Sequence, residues 1–280
     1  MNQTSGTSAF SVEHSTLSVP PSATADSWHH LRRYTAARIA VGRTGGSQRT
    51  ESLLDFRLSH ARARDAVHSP FDGNALGRQL RAKDIDSFYL DTAATDRRTY
   101  LLRPDLGRRL DSSARHKLLT NTPSWGHRDL AIMVSDGLAA QAADHHATAT
   151  LVPLIGQLRA NGWSLFPVFI VPFARVKLQD EIGELLGARH TLMLLGERPG
   201  LGSPDSLGAY FTFNPRAECT DADRNCISNI RPEGLPPVDA ADKLARLLHE
   251  SARLGLSGVA LKDSDLPPIQ LTTDEKATAP

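Results

Sequence analysis

From Arg128 onward, short and nearly unbroken apolar runs alternate with segments whose apolar positions recur every three or four residues. The stretch "RDLAIMVSDG" (128–137) reads as a buried strand that ends in a Ser-Asp-Gly turn. Helical sequence follows as far as Asn161, and Pro153 is expected to start a second helix there. "WSLFPVFIVPFA" (163–174) reads as the next strand, at an edge or bent near its ends by Pro167 and Pro172. In "RVKLQDEIGELLGA" (175–188), Val176, Leu178, Ile182, Leu185 and Leu186 mark a helix that Gly187 stops. "HTLMLLG" (190–196) is a third strand and "SLGAYFTFNP" (206–215) a fourth. "PVDAADKLARLLHESARLGLSG" (237–258) is a closing helix, from Pro237 near its start to Gly258 at its end.

The earlier part of the chain has a weaker rhythm. "SLLDFRLSHARARDAV" (52–67) places Leu54, Leu58 and Ala61 at helical spacing. A solvated or partner-dependent helix is the plain reading, and a docking helix the alternative. "RRTYLLRPDLGRRLD" (97–111) reads as an extended apolar piece followed by a turn at 104–107. "DRNCISNIRPEG" (223–234) reads as a polar loop.

Strand, helix, strand, helix, strand implies an α/β fold: an open, mostly parallel sheet with helices on both faces. The expected organisation is an N-terminal extension over 1–95, a sheet domain over 96–262 and a loose tail over 263–280. Within the extension, 1–27 is rich in Ser, Thr, Pro and Ala and is expected to be disordered, with short helices after it.

Composition narrows the function. The 280 residues carry a net charge of +1 and only 6% aromatics, which argues against a nucleic-acid partner. Two cysteines, Cys219 and Cys226, do not make a disulfide scaffold, so a reduced, intracellular protein is expected. The start "MNQTSGTSAF" lacks the pattern of a secretory signal, and no apolar run nears the roughly 20 residues that span a bilayer.

In an open α/β sheet, ligands sit beyond the carboxyl ends of the strands. Three loops therefore converge on one rim: "SDG" (135–137), "FAR" (173–175) and "GERPG" (196–200). The last is rich in glycine, yet it fits no phosphate template. Asp205 stands where a dinucleotide fingerprint needs Gly, no Lys-Ser/Thr follows a Gly, and Glu197 would repel a phosphate. Glu197 is suited to accept hydrogen bonds from an amide, hydroxyl or amine; the alternative is a scaffolding pair with Arg198 or Arg175.

Other chemistries fail. "DHHATA" (144–149) partly matches a D-x-H-x-x-G motif, but Ala149 replaces the Gly and the stretch lies inside helical sequence; it reads as a solvated helix face. The eleven His residues are scattered, so no metal site is expected. A G-x-S-x-G nucleophile motif is absent, and no catalytic residue is assigned. Cys226 defaults to a structural thiol, although Arg and Asn beside it hint at close approach to a ligand. What remains is an α/β domain with a polar, carboxylate-bearing rim and no self-sufficient catalytic set; that fits a subunit that helps hold a large ligand while another chain performs the reaction, with a stand-alone α/β small-ligand-binding module as the rival.

Several blocks resemble one family in order and spacing: "LLRPDLGRRL" (101–110), "VSDGLAA" (134–140), "ARVKLQDEIGELLGA" (174–188), "LLGERPGLGSPDSLGAY" (194–210) and "DRNCISNIRPEGLPPVDAA" (223–241). The likeness is to the small (light) subunit of ethanolamine ammonia-lyase, and it runs from about Tyr100 to Gly258. The resemblance implies a Rossmann-like α/β subunit of a lyase that converts ethanolamine to acetaldehyde and ammonia. It implies an adenosylcobalamin cofactor, kept base-on, sandwiched between this chain and a large subunit that holds the substrate. It also implies an assembly of six large and six small chains, in plain cytoplasm or within a bacterial microcompartment. By motif, the cobalamin contacts of the family fall on Val176, Glu197 and Cys226. The stretch 214–224 is about one residue shorter than the family pattern, which bears on the approach of Cys226.

Overall fold

The computed structural model describes residues 26–263 apart from 36 and 45, so most of the expected disordered start and loose tail lies outside the described residues. The chain sorts into two compact units, Met1–Arg57 and Leu58–Pro280. The smaller unit holds a 3-10 turn, His29–Tyr34, and a two-residue antiparallel pair, β1 (Arg43–Thr44) with β2 (Ser47–Gln48). Arg38 pairs with Asp55 there. Helix α1 (Thr50–His68) runs across the division. Its Leu54 and Leu58 are exposed, in line with a solvated face.

The larger unit continues with α2 (Gly73–Arg81), β3 (Ser87–Tyr89), α3 (Arg97–Leu102), α4 (Ser112–Trp125), β4 (Leu130–Ser135), α5 (Ala140–Ala160) and β5 (Val168–Ile170). Then come α6 (Leu178–Leu186), β6 (His190–Gly196), β7 (Leu207–Phe213), β8 (Arg224–Ile230) and α7 (Pro237–Leu254). Among the described residues these strands form a six-stranded sheet in the order β3-β5-β4-β6-β7-β8. The pairs from β3 through β6 are parallel, and β7 and β8 add antiparallel at the far edge. Every residue of β4 and of β6 is buried, because helices cover both faces. One core joins Ile132, Val134, Leu192 and Leu194 to α5 and α7; the other joins Met133, Phe169 and Met193 to α4 and α6. The expected Rossmann-like α/β architecture is the observed one.

Several local readings change. Residues 97–102 form a helix rather than an extended piece: the Asp96 carboxylate caps it by accepting from the Thr99 N–H at 2.9 Å. Pro153 lies inside the single helix α5 and starts nothing. The carbonyl it leaves without a helical donor belongs to Ala149, which is exposed to water. The closing helix stops at Gly255, which takes the left-handed conformation at φ 69°, ahead of Gly258. Residues 224–230 are a strand rather than a loop, for reasons set by the site they build.

β6 begins with a buried histidine. His190 is 0% exposed, lies against Trp163 and Phe213, and shares a 3.2 Å contact between Nε2 and Ser251 Oγ. Burial, helped by the charge of Arg189, pushes its pKa down to about 4. The folded state therefore keeps it neutral while the unfolded chain takes up a proton near 6.5. Between those values the unfolded chain binds more protons, so stability rises with pH and is lost as pH falls. At about 1.4 kcal/mol per unit, the loss by pH 4 approaches ~3 kcal/mol. Urea unfolding at pH 7 and pH 4.5 should show this slope, and His190→Gln should flatten it; an equal slope in both proteins would remove His190 as the cause.

Candidate functional site

The rim loops meet as the strand pattern requires. Ser135 Oγ accepts the Ala174 N–H at 2.9 Å, Asp136 Oδ1 accepts the Phe173 N–H at 2.7 Å, and Leu138 N–H donates to Gly196 O at 2.8 Å. Phe173 is held at φ 59°, an uncommon conformation for a side chain with a Cβ. The turn that follows carries Arg175, Val176 and Lys177 to the mouth of a cleft of about 780 Å³.

Strands β7 and β8 make the floor. One face of β8 buries Ile227 and Ile230 in the core shared with α7, while Cys226 and Ser228 on the other are exposed. Tyr210 pairs directly with Cys226 across the two strands, so both side chains lie on the open face. Val176, Tyr210 and Cys226 all line the cleft. The register shifts between Leu207 and Ala209, and Asn229 takes φ 58°. That turns the Asn229 N–H out of the ladder and onto Glu197 Oε2, at 3.2 Å.

Glu197 follows the last residue of β6. Its Oε2 also accepts the Ser206 hydroxyl, and its N–H donates to Ser206 O at 2.9 Å. The scaffold role foreseen for Glu197 is thus present, but its partners are Ser206 and Asn229. Arg175 donates instead to Tyr100 O at 3.1 Å and stacks over that ring at 4.1 Å. Its Nε is buried without a partner.

Tyr210 is the cleft residue that pattern reading missed. Burial, reinforced by the nearby Cys226 and Glu197, raises its phenol above the ordinary value. Desolvation in the cleft likewise raises the Cys226 thiol, and Glu197 adds to this, although a hydrogen bond with Tyr210 opposes it. Cys226 is exposed as a residue and lies on the cleft floor opposite Tyr210. A thiol shifted up in this way stays protonated at neutral pH, so it is a polarizable group rather than a nucleophile.

The cations at the cleft wall are largely engaged within the chain. Arg224 Nη1 reaches both Asp180 oxygens at 2.7 and 2.8 Å, and both side chains are buried. Lys177 Nζ reaches Asp180 at 2.8 Å and donates to Ala217 O at 2.7 Å. The wall therefore offers a ligand apolar surface, the Tyr210 hydroxyl and a thiol, together with Arg108 and Arg175, which have no carboxylate partner among the described contacts; Glu197 lies outside the lining. Val176 presents its side chain, since its carbonyl accepts the Gln179 N–H at 3.2 Å. No histidine is among the described residues that line the cleft.

Fold and cleft together define a class: an α/β chain that opens one broad wall, richer in cations than in carboxylates, beyond the carboxyl ends of its parallel strands. Residues 25–262 match the family described as Ethanolamine ammonia-lyase light chain (EutC). The ethanolamine ammonia-lyase small subunit of Azotobacter vinelandii is 55% identical over 246 residues, which cover 86% of this chain and 90% of that one. Its counterpart in Pseudomonas fluorescens is 50% identical over 258 residues, covering 92% and 94%. One from Pseudomonas aeruginosa is 52% identical over 246 residues, covering 88% and 90%. The chain belongs to the ethanolamine ammonia-lyase light chain family. The match starts at residue 25, well ahead of the Tyr100 at which sequence motifs become specific, so most of the extension is part of the family's chain.

Proposed function

We propose that this chain is the small subunit of an adenosylcobalamin-dependent ethanolamine ammonia-lyase and forms one wall of the cofactor cradle. The single observation that carries the reading is the convergence of Val176, Tyr210 and Cys226 on one open cleft, with Glu197 and Tyr210 both set beside Gly208. The residues fit the group. Corrin side chains are mostly amides, whose N–H groups need acceptors and whose carbonyls need donors, so the Tyr210 hydroxyl and the Arg175 guanidinium both suit them. When bound, the cofactor supplies a radical by cleavage of its cobalt–carbon bond.

The chain's own residues bind and orient. Val176 gives an apolar contact at the turn before α6. Cys226 gives a compact one on the floor. Glu197, fixed by Ser206 and Asn229, accepts from an amide, a charge-assisted bond about twice as strong as a neutral one. The segment 96–262 is the cofactor-contacting part in this reading. A large subunit supplies the opposite wall, the substrate site and the catalytic groups, in an assembly of six and six chains. The setting is the cytoplasm, with a microcompartment as the variant that leader deletion would test.

Glu197→Gln should raise the cobalamin dissociation constant of the two-chain enzyme about fivefold, the effect of ~1 kcal/mol. Equilibrium dialysis followed by cobalamin absorbance measures it. Turnover at saturating cofactor should change little. Normal cobalamin affinity with abolished turnover would contradict the role given to Glu197.

A further inference from the structure

The "DHHATA" stretch is not the solvated helix face that its sequence implies. His146 on α5 is buried, at 6% exposure, and faces the loop that follows Glu197. Its Nε2 lies 3.4 Å from Asp205 Oδ2, long for a hydrogen bond. His145, the exposed neighbour, holds its ring 5.9 Å from that of His146. One ligand atom from each of His145, His146 and Asp205 lies within 4.8 Å of the others. Sequence hides this grouping, because Asp205 is 59 residues from His146.

We infer that His145, His146 and Asp205 form a binding site for a divalent transition ion of the zinc type. Two imidazoles and one carboxylate are a borderline-soft donor set, which selects zinc and its neighbours over magnesium or calcium. Two donors about 2.0 Å from a tetrahedral ion stand roughly 3.3 Å apart, the spacing that His146 Nε2 and Asp205 Oδ2 already have at 3.4 Å, so the exposed His145 is the ligand that must swing in. The other Asp205 oxygen, Oδ1, is held by Arg231 at 3.3 Å, the outer contact that orients a ligating carboxylate. Arg231 also pairs with Glu233 at 3.0 Å, which balances its charge near the ion. A cleft of about 440 Å³ beside His145 and Asp205 leaves room for water as the fourth ligand.

The site has a consequence for the loop. Asp205 precedes Ser206, whose hydroxyl holds Glu197. A bound ion would fasten that loop to α5.

The test uses the full chain, stripped with chelator and titrated with zinc by calorimetry and with cobalt by visible absorption. One equivalent should bind, with no thiolate charge-transfer band. His145→Ala, an exposed change that spares the core, and Asp205→Asn should each weaken binding at least tenfold. The double variant Cys219→Ser/Cys226→Ser should leave it unchanged. No uptake, parental affinity in His145→Ala or Asp205→Asn, or loss in the cysteine variant would overturn the site. No cobalamin enters the measurement, so the result is independent of the cofactor reading.

Discussion

Arg97→Ala is expected to destabilise the protein by about 3–5 kcal/mol, the cost of stranding a buried charge. Arg97 enters the rim from α3. Nη1 meets Asp136 Oδ2 at 3.0 Å and Gly137 O at 2.6 Å, Nη2 meets Leu138 O at 3.0 Å, and Nε meets Val67 O at 2.7 Å. Asp136 is 1% exposed, and burial already pushes its carboxyl up, against the pull of the Phe173 N–H and Arg97. Without Arg97 the acid form is favoured further. A folded-state acid with a raised pKa loses stability as pH rises through it. The penalty should therefore be larger at pH 8 than at pH 5. Thermal unfolding should show a fall of roughly 10 °C at neutral pH. The damage should reach the cleft, because Asp136 also holds Phe173 in its left-handed conformation, three residues before Val176. Adding Asp136→Asn to Arg97→Ala should cost less than it does alone, since the two groups share one network. Additive losses would show that the pair is not coupled.

The parts of this network differ in how far the sequence discloses them. β4 and β6 are legible because a strand buried on both faces needs an unbroken apolar run, as in residues 130–134 and 192–195. β8 is not. As an edge strand with one open face it carries Asn225, Cys226, Ser228 and Asn229, the composition of a loop. Overlooking it also conceals Tyr210, because only the register of β7 with β8 sets Tyr210 beside Cys226. The six-residue α3 is too short for periodicity, and its capping residue Asp96 is the one local signal. The rim was readable from topology alone, since strand ends in a parallel sheet must share one edge. Which side chains face the cleft depends on long-range pairing. His146 and Asp205 illustrate the same limit, as does the bulge that points the Asn229 N–H at Glu197.

Gly196→Ala should cost at least about 3 kcal/mol and lower the unfolding temperature by roughly 6–12 °C. A Cβ there would stand 2.0 Å from Ala139 O and 2.6 Å from Asp136 O, both backbone atoms. No rotamer change relieves such an overlap, so the turn after β4 must move away from the end of β6. Gly137 meets it from the other side at φ 54°, with its own Cβ position 2.2 Å from Gly196 O. Gly208→Ala supplies the contrast. Its Cβ would meet Glu197 Oε1 at 2.9 Å and Tyr210 Cε2 at 2.9 Å, side-chain rather than backbone atoms, which shift at less cost. That variant should lose less than ~1 kcal/mol of stability, yet weaken cobalamin binding by displacing the carboxylate and the hydroxyl. Chemical unfolding and cofactor titration on both variants separate the two effects. If Gly208→Ala bound cobalamin as tightly as the parent, Glu197 and Tyr210 would not be part of the cradle, because the substitution acts on those two side chains directly.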